Sequence, residues 1–250
     1  MHVFAVERLP EIESGDDVAG LIEERVDLQS GDIVCVASTI ISKAEGRQAS
    51  LADFDPSDRA RDIAARIGEV AGEDKDPRFA QAVLEESEEL LMDCPIMLAV
   101  THFGHITVNA GIDRSNIPDA DLLLLPEDPT ASAEGLHEEL GVPVVVTDTS
   151  GRPFRHGQRG VAVGWAGLPA ARDWRGEYDR HGKELEATIQ AVVDELAAAS
   201  NLVTGEGGGG TPVAVVRSWE FGEFKGSNEL FRDEEDDLIR PALREYYARD

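Results

Sequence analysis

VPVVVTDTSGRPFRHGQRG, residues 142–160, is the stretch that most constrains the fold and the chemistry of this chain. Its apolar run over residues 142–146 predicts a buried strand, which ends in a polar segment containing Asp148 and Thr149. The loop that follows carries three arginines: Arg152, Arg155 and Arg159. A carboxylate at a strand end suits Mg²⁺ or Mn²⁺, and guanidinium groups match phosphate oxygens. The stretch predicts a metal-assisted phosphate site, with a polar turn and solvated arginines as the alternative.

The composition predicts a globular chain. Its 250 residues, 42% of them hydrophobic, can bury a full core. No apolar run approaches the roughly 18 residues that a membrane-spanning helix needs, and the first residues lack the apolar region of a signal peptide. We therefore expect a cytoplasmic protein without a membrane partner. Cys35 and Cys94 lie apart in apolar surroundings and are interpreted as thiols, not as a disulfide or zinc ligands.

The charge of the chain is strongly negative. A formal net charge of -27, spread along the sequence, argues against binding to nucleic acid or to anionic membranes. Lysine is scarce beside arginine: the lysines are Lys43, Lys75, Lys183 and Lys225. An acidic, lysine-poor surface favours solubility at high salt, where the screening length falls to about 3 Å at 1 M. This pattern predicts a halophilic source.

Hydrophobic periodicity predicts strands separated by helices. Strands are expected over residues 31–38, 95–100, 106–109, 122–125, 142–146, 161–165 and 212–217. Helices are expected from a Ser57 cap to Gly68, from Pro77 through Leu91, over residues 183–200 and over residues 233–247. Because strands and helices do not alternate strictly, we expect an α+β fold with mixed or antiparallel sheets. Residues 1–250 are expected to form one unit, with any two subdomains parting near residues 70–80 or after Gly205.

Three further segments offer the same chemistry. Asp113 follows a predicted strand and could share a divalent ion with Asp148, although an Asx turn is the alternative. TGEGGGGT, residues 204–211, could present backbone N–H groups to phosphate and Glu206 to a metal, with a flexible linker as the alternative. Lys43 stands among hydroxyl residues after the first strand and could grip a phosphate chain, unless it is a solvated loop lysine.

Together these motifs resemble the coenzyme F420-0:L-glutamate ligase family, the γ-glutamyl ligases of coenzyme F420 biosynthesis. The resemblance covers nearly the whole chain. The matching segments are LPEI at residues 9–12, ST at 38–39, ISKAEGR at 41–47, QAVLEES at 81–87, NAGID at 109–113, TDT at 147–149 and GEGG at 205–208. Several spaced motifs in one order are far more specific than a single motif.

The resemblance implies a GTP-dependent ligase that adds L-glutamate to the F420-0 precursor through γ-linkages. It implies Mn²⁺ or Mg²⁺ at two sites, allows K⁺ as a further ion, and implies an intertwined α+β homodimer. One metal is expected at Asp113 and Asp148, and a second at Thr149 and Glu206. Expected GTP contacts are Leu9, Pro10, Glu11, Ile12, Ser38, Thr39, Lys43, Asn116, Thr204, Gly205, Glu206, Gly207, Gly208, Gly209, Gly210 and Thr211. A ligase without the C-terminal reductase-like extension of some relatives is the simpler expectation.

A ligase of this family is expected to move the GTP γ-phosphate to a carboxylate of the precursor, after which the glutamate amine attacks the acyl phosphate. No covalent enzyme nucleophile is needed, and none is predicted. On charge alone, Arg152, Arg155 and Arg159 are candidates for the phosphodiester of the precursor. Two other classes stay open: a metal-dependent phosphohydrolase that uses the same carboxylates, and a non-catalytic nucleotide-binding protein.

Overall fold

A computed structural model of the protein describes residues 1–115, 117–118 and 120–247. The strands within these residues are β1 (His2–Ala5), β2 (Ile33–Ala37), β3 (Gln48–Ala49), β4 (Ser87–Met92), β5 (Leu98–Thr101), β6 (Ile106–Val108), β7 (Leu122–Leu123), β8 (Val144–Ser150), β9 (Arg159–Ala166), β10 (Ala171–Asp173), β11 (Ile189–Ala191), β12 (Val213–Arg217) and β13 (Lys225–Ser227). The helices are α1 (Val18–Glu23), α2 (Ser38–Ala44), α3 (Asp58–Ala71), α4 (Pro77–Glu85), α5 (Pro129–Leu140), α6 (Val192–Thr204) and α7 (Arg240–Tyr247). Short 3₁₀ turns lie at Leu51–Asp53 and Asn109–Gly111.

The chain divides into two compact units. Unit 1 contains Met1–Ala44 and Asp128–Leu230, and unit 2 contains Glu45–Glu127 and Phe231–Asp250. The divisions therefore fall after Ala44, Glu127 and Leu230, not near residues 70–80 or directly after Gly205. The predicted α+β class is confirmed, because the sheets are mixed or antiparallel and the helices do not alternate regularly with strands.

Unit 1 is built on a five-stranded sheet with the order β1-β12-β2-β8-β9. β2 and β8 are parallel, whereas the other neighbouring pairs are antiparallel. β1, β2 and β8 therefore end at the same edge of the sheet, where β9 and β12 begin. We call this edge the carboxyl edge. Unit 1 also contains the antiparallel sheet β11-β10-β13.

Two helices of unit 1 lie close to β9, because two glycines of that strand leave room for backbone. A Cβ on Gly160 would come within 2.5 Å of the Ala197 carbonyl oxygen in α6. A Cβ on Gly164 would come within 2.2 Å of the Pro129 carbonyl oxygen in α5. The core beneath α6 contains Ile33, Cys35, Val145, Ala162, Ala170, Val192, Val193, Leu196 and Val216. Burial of each large apolar side chain of this kind contributes about 1.5–3 kcal/mol.

Unit 2 combines the antiparallel sheet β4-β5-β6, the two-stranded ribbon β3-β7, and the helices α3, α4 and α7. α3 begins after Ser57, whose hydroxyl accepts the Ala60 N–H at 3.2 Å, as predicted. It ends at Ala71 rather than near Gly68, and Gly72 takes the left-handed conformation that closes the helix. The core of unit 2 contains Leu51, Phe54, Ala60, Ile63, Ala64, Ala80, Ala82, Val83, Met97, Ala99, Ala110, Ile112, Leu122 and Leu124.

Each of the seven predicted strands overlaps an observed strand, but the second predicted helix was extended too far. α4 starts at Pro77 as expected and stops at Glu85 instead of continuing through Leu91. The Ser87 hydroxyl bonds back to the Val83 carbonyl oxygen at 2.6 Å, and the following residues pair with β5 as β4. The Ser87 bond and the pairing with β5, the next strand in the chain, thus override the helical pattern.

The last two predicted helices begin later than expected. The helix predicted over residues 183–200 begins only at Val192, as α6, because Ile189–Ala191 pairs with β10 as a strand. The helix predicted from residue 233 is α7, which starts where the Asp237 carboxylate accepts the N–H groups of Ile239 and Arg240. These two bonds form a turn just before the helix. Among the described residues, every helix is too short or too polar to cross a bilayer.

Candidate functional site

The carboxyl edge of unit 1 brings together most of the segments that the sequence singled out. Residues 9–12 follow β1, the segment from Ser38 to Lys43 follows β2, and residues 204–211 precede β12. The Ala37 N–H donates to the Pro212 carbonyl oxygen at 2.8 Å, which ties the end of the glycine loop to the end of β2. The predicted nucleotide segments of unit 1 therefore share one edge of one sheet.

Asp148 lies within a strand, which corrects the prediction that the strand ends before it. β8 continues to Ser150 and pairs with β9 there, whereas β2 stops at Ala37. Because Ala37 is paired with Thr147 in parallel register, Ser38 and Asp148 come next on the two neighbouring strands. The buried Ser38 hydroxyl donates to Asp148 Oδ1 at 3.5 Å.

Thr149 and Glu206 meet at the same edge. The Thr149 hydroxyl lies 3.2 Å from Glu206 Oε1 and 3.3 Å from Oε2. The carboxylates and hydroxyls here are all oxygen donors, the kind that Mg²⁺ and Mn²⁺ prefer. Over the described part of the chain, no three His, Cys, Asp or Glu side chains form a metal-binding group. A hard cation bound to these oxygens would therefore need phosphate or water oxygens to complete its shell.

Lys43 is a buried helical residue rather than a solvated loop lysine. It lies in the last turn of α2, is 7% exposed, and forms an ion pair with Glu11. The Glu11 side chain is 65% exposed, so the pair joins a carboxylate at the surface to a buried ammonium. The remaining predicted contacts in this part are the half-buried Leu9 and Thr39, the exposed Pro10 and the buried Ile12.

The glycine loop leaves α6 as the sequence predicted. Gly205 has φ 70 and Gly210 has φ 63, a left-handed region that glycine enters at little cost. The Thr211 hydroxyl donates to the Thr204 carbonyl oxygen at 3.2 Å and closes the loop. Gly207 and Gly208 are exposed, and no heavy atom lies within 4 Å of where their Cβ would be. Their backbone is open to a ligand that approaches closely.

Of the three arginines predicted in the loop after β8, Arg152 and Arg155 lie in it, whereas Arg159 is the first residue of β9. Two of the three guanidinium groups are exposed. Arg152 is half-buried and donates to the Gly157 carbonyl oxygen at 3.1 Å, so it braces the loop itself. Arg155 and Arg159 are exposed, and no described residue accepts a hydrogen bond from their side chains. Phe154, the residue before Arg155, is fully exposed and has φ 65, a strained conformation for this residue type. Two charges are therefore free for an anion.

Asp113 belongs to unit 2, not to the carboxyl edge of unit 1. Its backbone pairs with Leu123 in an isolated bridge, and its Oδ1 accepts the N–H groups of Arg114 and Ser115 at 2.6 and 2.9 Å. The Ser115 hydroxyl adds a third bond at 2.8 Å. These bonds form the local turn that was the alternative interpretation of Asp113. The predicted nucleotide contact Asn116 lies outside the described residues.

Asn201 is a contact of this site that the sequence did not reveal. Its amide nitrogen donates to Glu206 Oε1 at 2.7 Å, so Glu206 is held by Asn201 as well as by Thr149. No motif marks Asn201, and its only signal is a position about one helical turn before Gly205.

Comparison with known proteins assigns the chain to a family. A family model described as F420-0:Gamma-glutamyl ligase matches residues 7–218. The chain is 70% identical over 246 residues to a coenzyme F420:L-glutamate ligase of Natronomonas pharaonis, which covers 98% of this chain and 97% of that protein. It is 66% identical over 257 residues to the enzyme of the same name from Haloarcula marismortui, with 100% of both chains covered. That of Archaeoglobus fulgidus is 49% identical over 250 residues, with 98% of both covered.

The first two relatives come from halophilic archaea, in agreement with the acidic, lysine-poor composition. The matched segment contains the predicted motifs of residues 9–12, 38–47, 81–87, 109–113, 147–149 and 205–208. On the extent of the family match and the coverage of these relatives, the chain belongs to the F420-0:gamma-glutamyl ligase family.

Proposed function

We propose that the protein is a GTP-dependent ligase that joins L-glutamate to the F420-0 precursor through γ-glutamyl linkages. Family membership and the names of the relatives, which are coenzyme F420:L-glutamate ligases, support the substrates. The observation that carries the chemistry is the cluster of oxygen donors at the carboxyl edge: Ser38, Asp148, Thr149 and Glu206. Such a cluster suits phosphoryl transfer, in which catalysis is mainly positioning and neutralisation of charge.

The proposed reaction has two steps. A carboxylate oxygen of the precursor bonds to the γ-phosphorus of GTP while the bond from that phosphorus to the bridging oxygen breaks, giving an acyl phosphate and GDP. The amine of glutamate, after losing a proton, then attacks the acyl carbon, and inorganic phosphate leaves as the amide forms. Neither step requires an enzyme nucleophile.

Three elements of unit 1 would hold the nucleotide in this proposal. Lys43 would contribute one positive charge to the phosphates, with its ammonium oriented by Glu11. Ser38 and Thr39 would add hydroxyl donors, and the open backbone of the glycine loop would approach the nucleotide closely.

Mn²⁺ or Mg²⁺ belongs to the proposal because the donor set is made of hard oxygen atoms. Asp148 would hold one ion, for which the resemblance also implies Asp113, and Thr149 and Glu206 would hold a second. When bound, the ion would neutralise charge that develops on the phosphate oxygens. A homodimer and K⁺ as a further ion are proposed from the resemblance alone, and a cytoplasmic location from the amino-acid sequence.

The second substrate is proposed to meet the arginine loop. Arg155 and Arg159 present free guanidinium groups beside β8, and guanidinium binds phosphate oxygens in a bidentate manner. Arg152 would act through the loop, because its own side chain is bonded to Gly157. The anionic group of the precursor would thus lie next to the nucleotide segments.

A ligation assay tests the proposal. Purified protein is incubated with F420-0, L-glutamate, GTP and Mn²⁺ at high salt, and both released phosphate and product mass are measured. We expect phosphate release to require both F420-0 and glutamate, and the precursor mass to rise by one or more glutamate residues. Full-rate GTP hydrolysis without acceptor would indicate the phosphohydrolase, and GTP binding without turnover would indicate the non-catalytic protein.

A further inference from the structure

We propose that Asn201 is a positioning residue that holds the Glu206 carboxylate in the orientation needed for metal binding. The inference rests on the proposed function, because it assigns Glu206 to the metal site. Asn201 Nδ2 donates to Glu206 Oε1 at 2.7 Å, and the Thr149 hydroxyl lies 3.2 Å from the same oxygen. Two neutral donors thus fix one carboxylate oxygen from two directions.

The contacts around Asn201 form a closed ring within unit 1. Thr149 is paired directly with Gly160 across the β8–β9 ladder. A Cβ on Gly160 would come within 3.1 Å of Asn201 Cβ, so the last turn of α6 lies close against this strand. The Asn201 amide donates to the Glu206 carboxylate, which also accepts the Thr149 hydroxyl and so closes the ring. The ring joins strand, helix and loop.

The backbone of Asn201 fixes the start of the same loop. Its carbonyl oxygen accepts the Gly205 N–H at 2.9 Å, which ends α6. One residue therefore bonds to both the backbone and the carboxylate of the Gly205–Glu206 pair. Glu206 is exposed, and an exposed glutamate otherwise loses side-chain entropy when it is held in one geometry. Asn201 has already restricted it.

An amide suits this role better than a charged group. It donates a hydrogen bond to the carboxylate without adding a positive charge that would compete with the cation. Mutation of a residue that orients a metal ligand typically lowers metal affinity or activity by about 10–100-fold. We therefore expect Asn201→Ala to weaken Mn²⁺ binding by about tenfold.

The test measures metal binding as well as turnover. Mn²⁺ is titrated into protein saturated with GDP and followed by electron paramagnetic resonance, with a protein-free blank for Mn²⁺–GDP. Asn201→Ala is compared with Leu202→Ala, its neighbour on α6, whose side chain is 86% exposed. We expect the weaker Mn²⁺ binding of Asn201→Ala to appear also as a higher Mn²⁺ requirement for ligation, with kcat at saturating Mn²⁺ within about threefold of wild type.

A double-mutant cycle separates positioning from general stabilisation. In a Glu206→Ala background, Asn201→Ala should change Mn²⁺ affinity less than about twofold, because its effect passes through Glu206. Where Asn201→Ala does not fold, Asn201→Leu, which has a similar shape but no hydrogen-bond donor and no charge, replaces it with the same expectation. Unchanged Mn²⁺ affinity in the folded variant, or an equal loss in both backgrounds, would overturn the inference alone. A wild-type protein that binds no Mn²⁺ would overturn the proposed metal site with it.

Discussion

Lys43 and Glu11 form an ion pair within unit 1, although 32 positions separate them in the sequence. The pair joins the last turn of α2 to the segment that follows β1. A buried ammonium needs such a partner, because a desolvated charge without one is costly. The pair also joins two segments that resemblance predicts to contact the nucleotide.

Lys43→Ala is expected to weaken GTP binding by about 1–3 kcal/mol, the range for losing a hydrogen bond to a charged group. Isothermal titration with GTP measures the loss. Lys75→Ala is a matched control, because Lys75 pairs with Glu73 at the exposed surface of unit 2. Equal GTP affinity for wild type and a folded Lys43→Ala would return this lysine to a purely structural role.

Asp148→Asn is expected to abolish most ligation while the protein stays folded, because the substitution removes the charge but keeps the shape. The rate as a function of Mn²⁺ concentration measures the effect. Asp113→Asn should have a similar effect if Asp113 shares the metal, as the resemblance implies. A normal Mn²⁺ dependence in Asp148→Asn would show that the metal site was assigned wrongly. A normal Mn²⁺ dependence in Asp113→Asn would mean that Asp113 only stabilises its local turn.

Arg155→Ala is expected to raise the KM for F420-0 more than the KM for GTP, because the Arg155 guanidinium is exposed and free to bind an anion. Loss of one charge-assisted contact corresponds to about 1.5–3 kcal/mol, or roughly 10–150-fold. Steady-state kinetics with each substrate varied in turn measures the two constants. Arg180→Ala, an exposed arginine elsewhere in unit 1, controls for net charge. Equal changes in both constants would speak against a contact with the precursor.

Gly164→Ala is expected to destabilise unit 1 by about 1–3 kcal/mol through overpacking, because its Cβ would meet the Pro129 carbonyl oxygen at 2.2 Å. Gly135→Ala, within α5, is the control: no heavy atom lies within 4 Å of its Cβ position. Alanine is the better helix former there by about 0.5–1 kcal/mol, so this variant should be neutral or more stable. Denaturant unfolding at high salt measures both. Equal stability of the two variants would contradict the close approach of α5 to β9.

His105 is expected to make unit 2 less stable in mild acid. Burial lowers the pKa of this histidine from 6.5 to about 4, and its Nε2 has no hydrogen-bond partner among the described residues. Between these two pKa values the unfolded chain binds a proton that the folded chain does not, so stability falls as the pH drops from about 6.5 to 4. The loss is about 3 kcal/mol at most.

Replacement of His105 by phenylalanine checks this expectation. The ring of His105 lies 5.6 Å from that of Phe231 and 6.4 Å from that of Phe103, so a third aromatic ring suits the position. Between pH 4 and 7, the unfolding free energy of wild type should fall more steeply with decreasing pH than that of His105→Phe. Parallel profiles would mean that the titration of His105 is not linked to folding.

Local patterns in the sequence predicted four of the five strands of the main sheet, all but β1, and the caps of two helices. Apolar runs such as residues 142–146 coincide with β8, and the Ser57 cap and the Pro77 start are where expected. These features depend on neighbours in the chain, which a sequence displays directly. Helix bounds failed where distant pairing decided them, as at Ile189–Ala191, which joins β10 instead of α6.

The sequence by itself determined the family, the α+β class and the residue types that can handle phosphate and metal. Only the tertiary structure decided which of them meet. Parallel pairing of Ala37 with Thr147 places Ser38 beside Asp148, and the close packing of α6 on Gly160 brings Glu206, just after that helix, to Thr149. These contacts join residues far apart in sequence or from different elements. Strand register and helix packing set them, and both depend on burial throughout the unit rather than on any local motif.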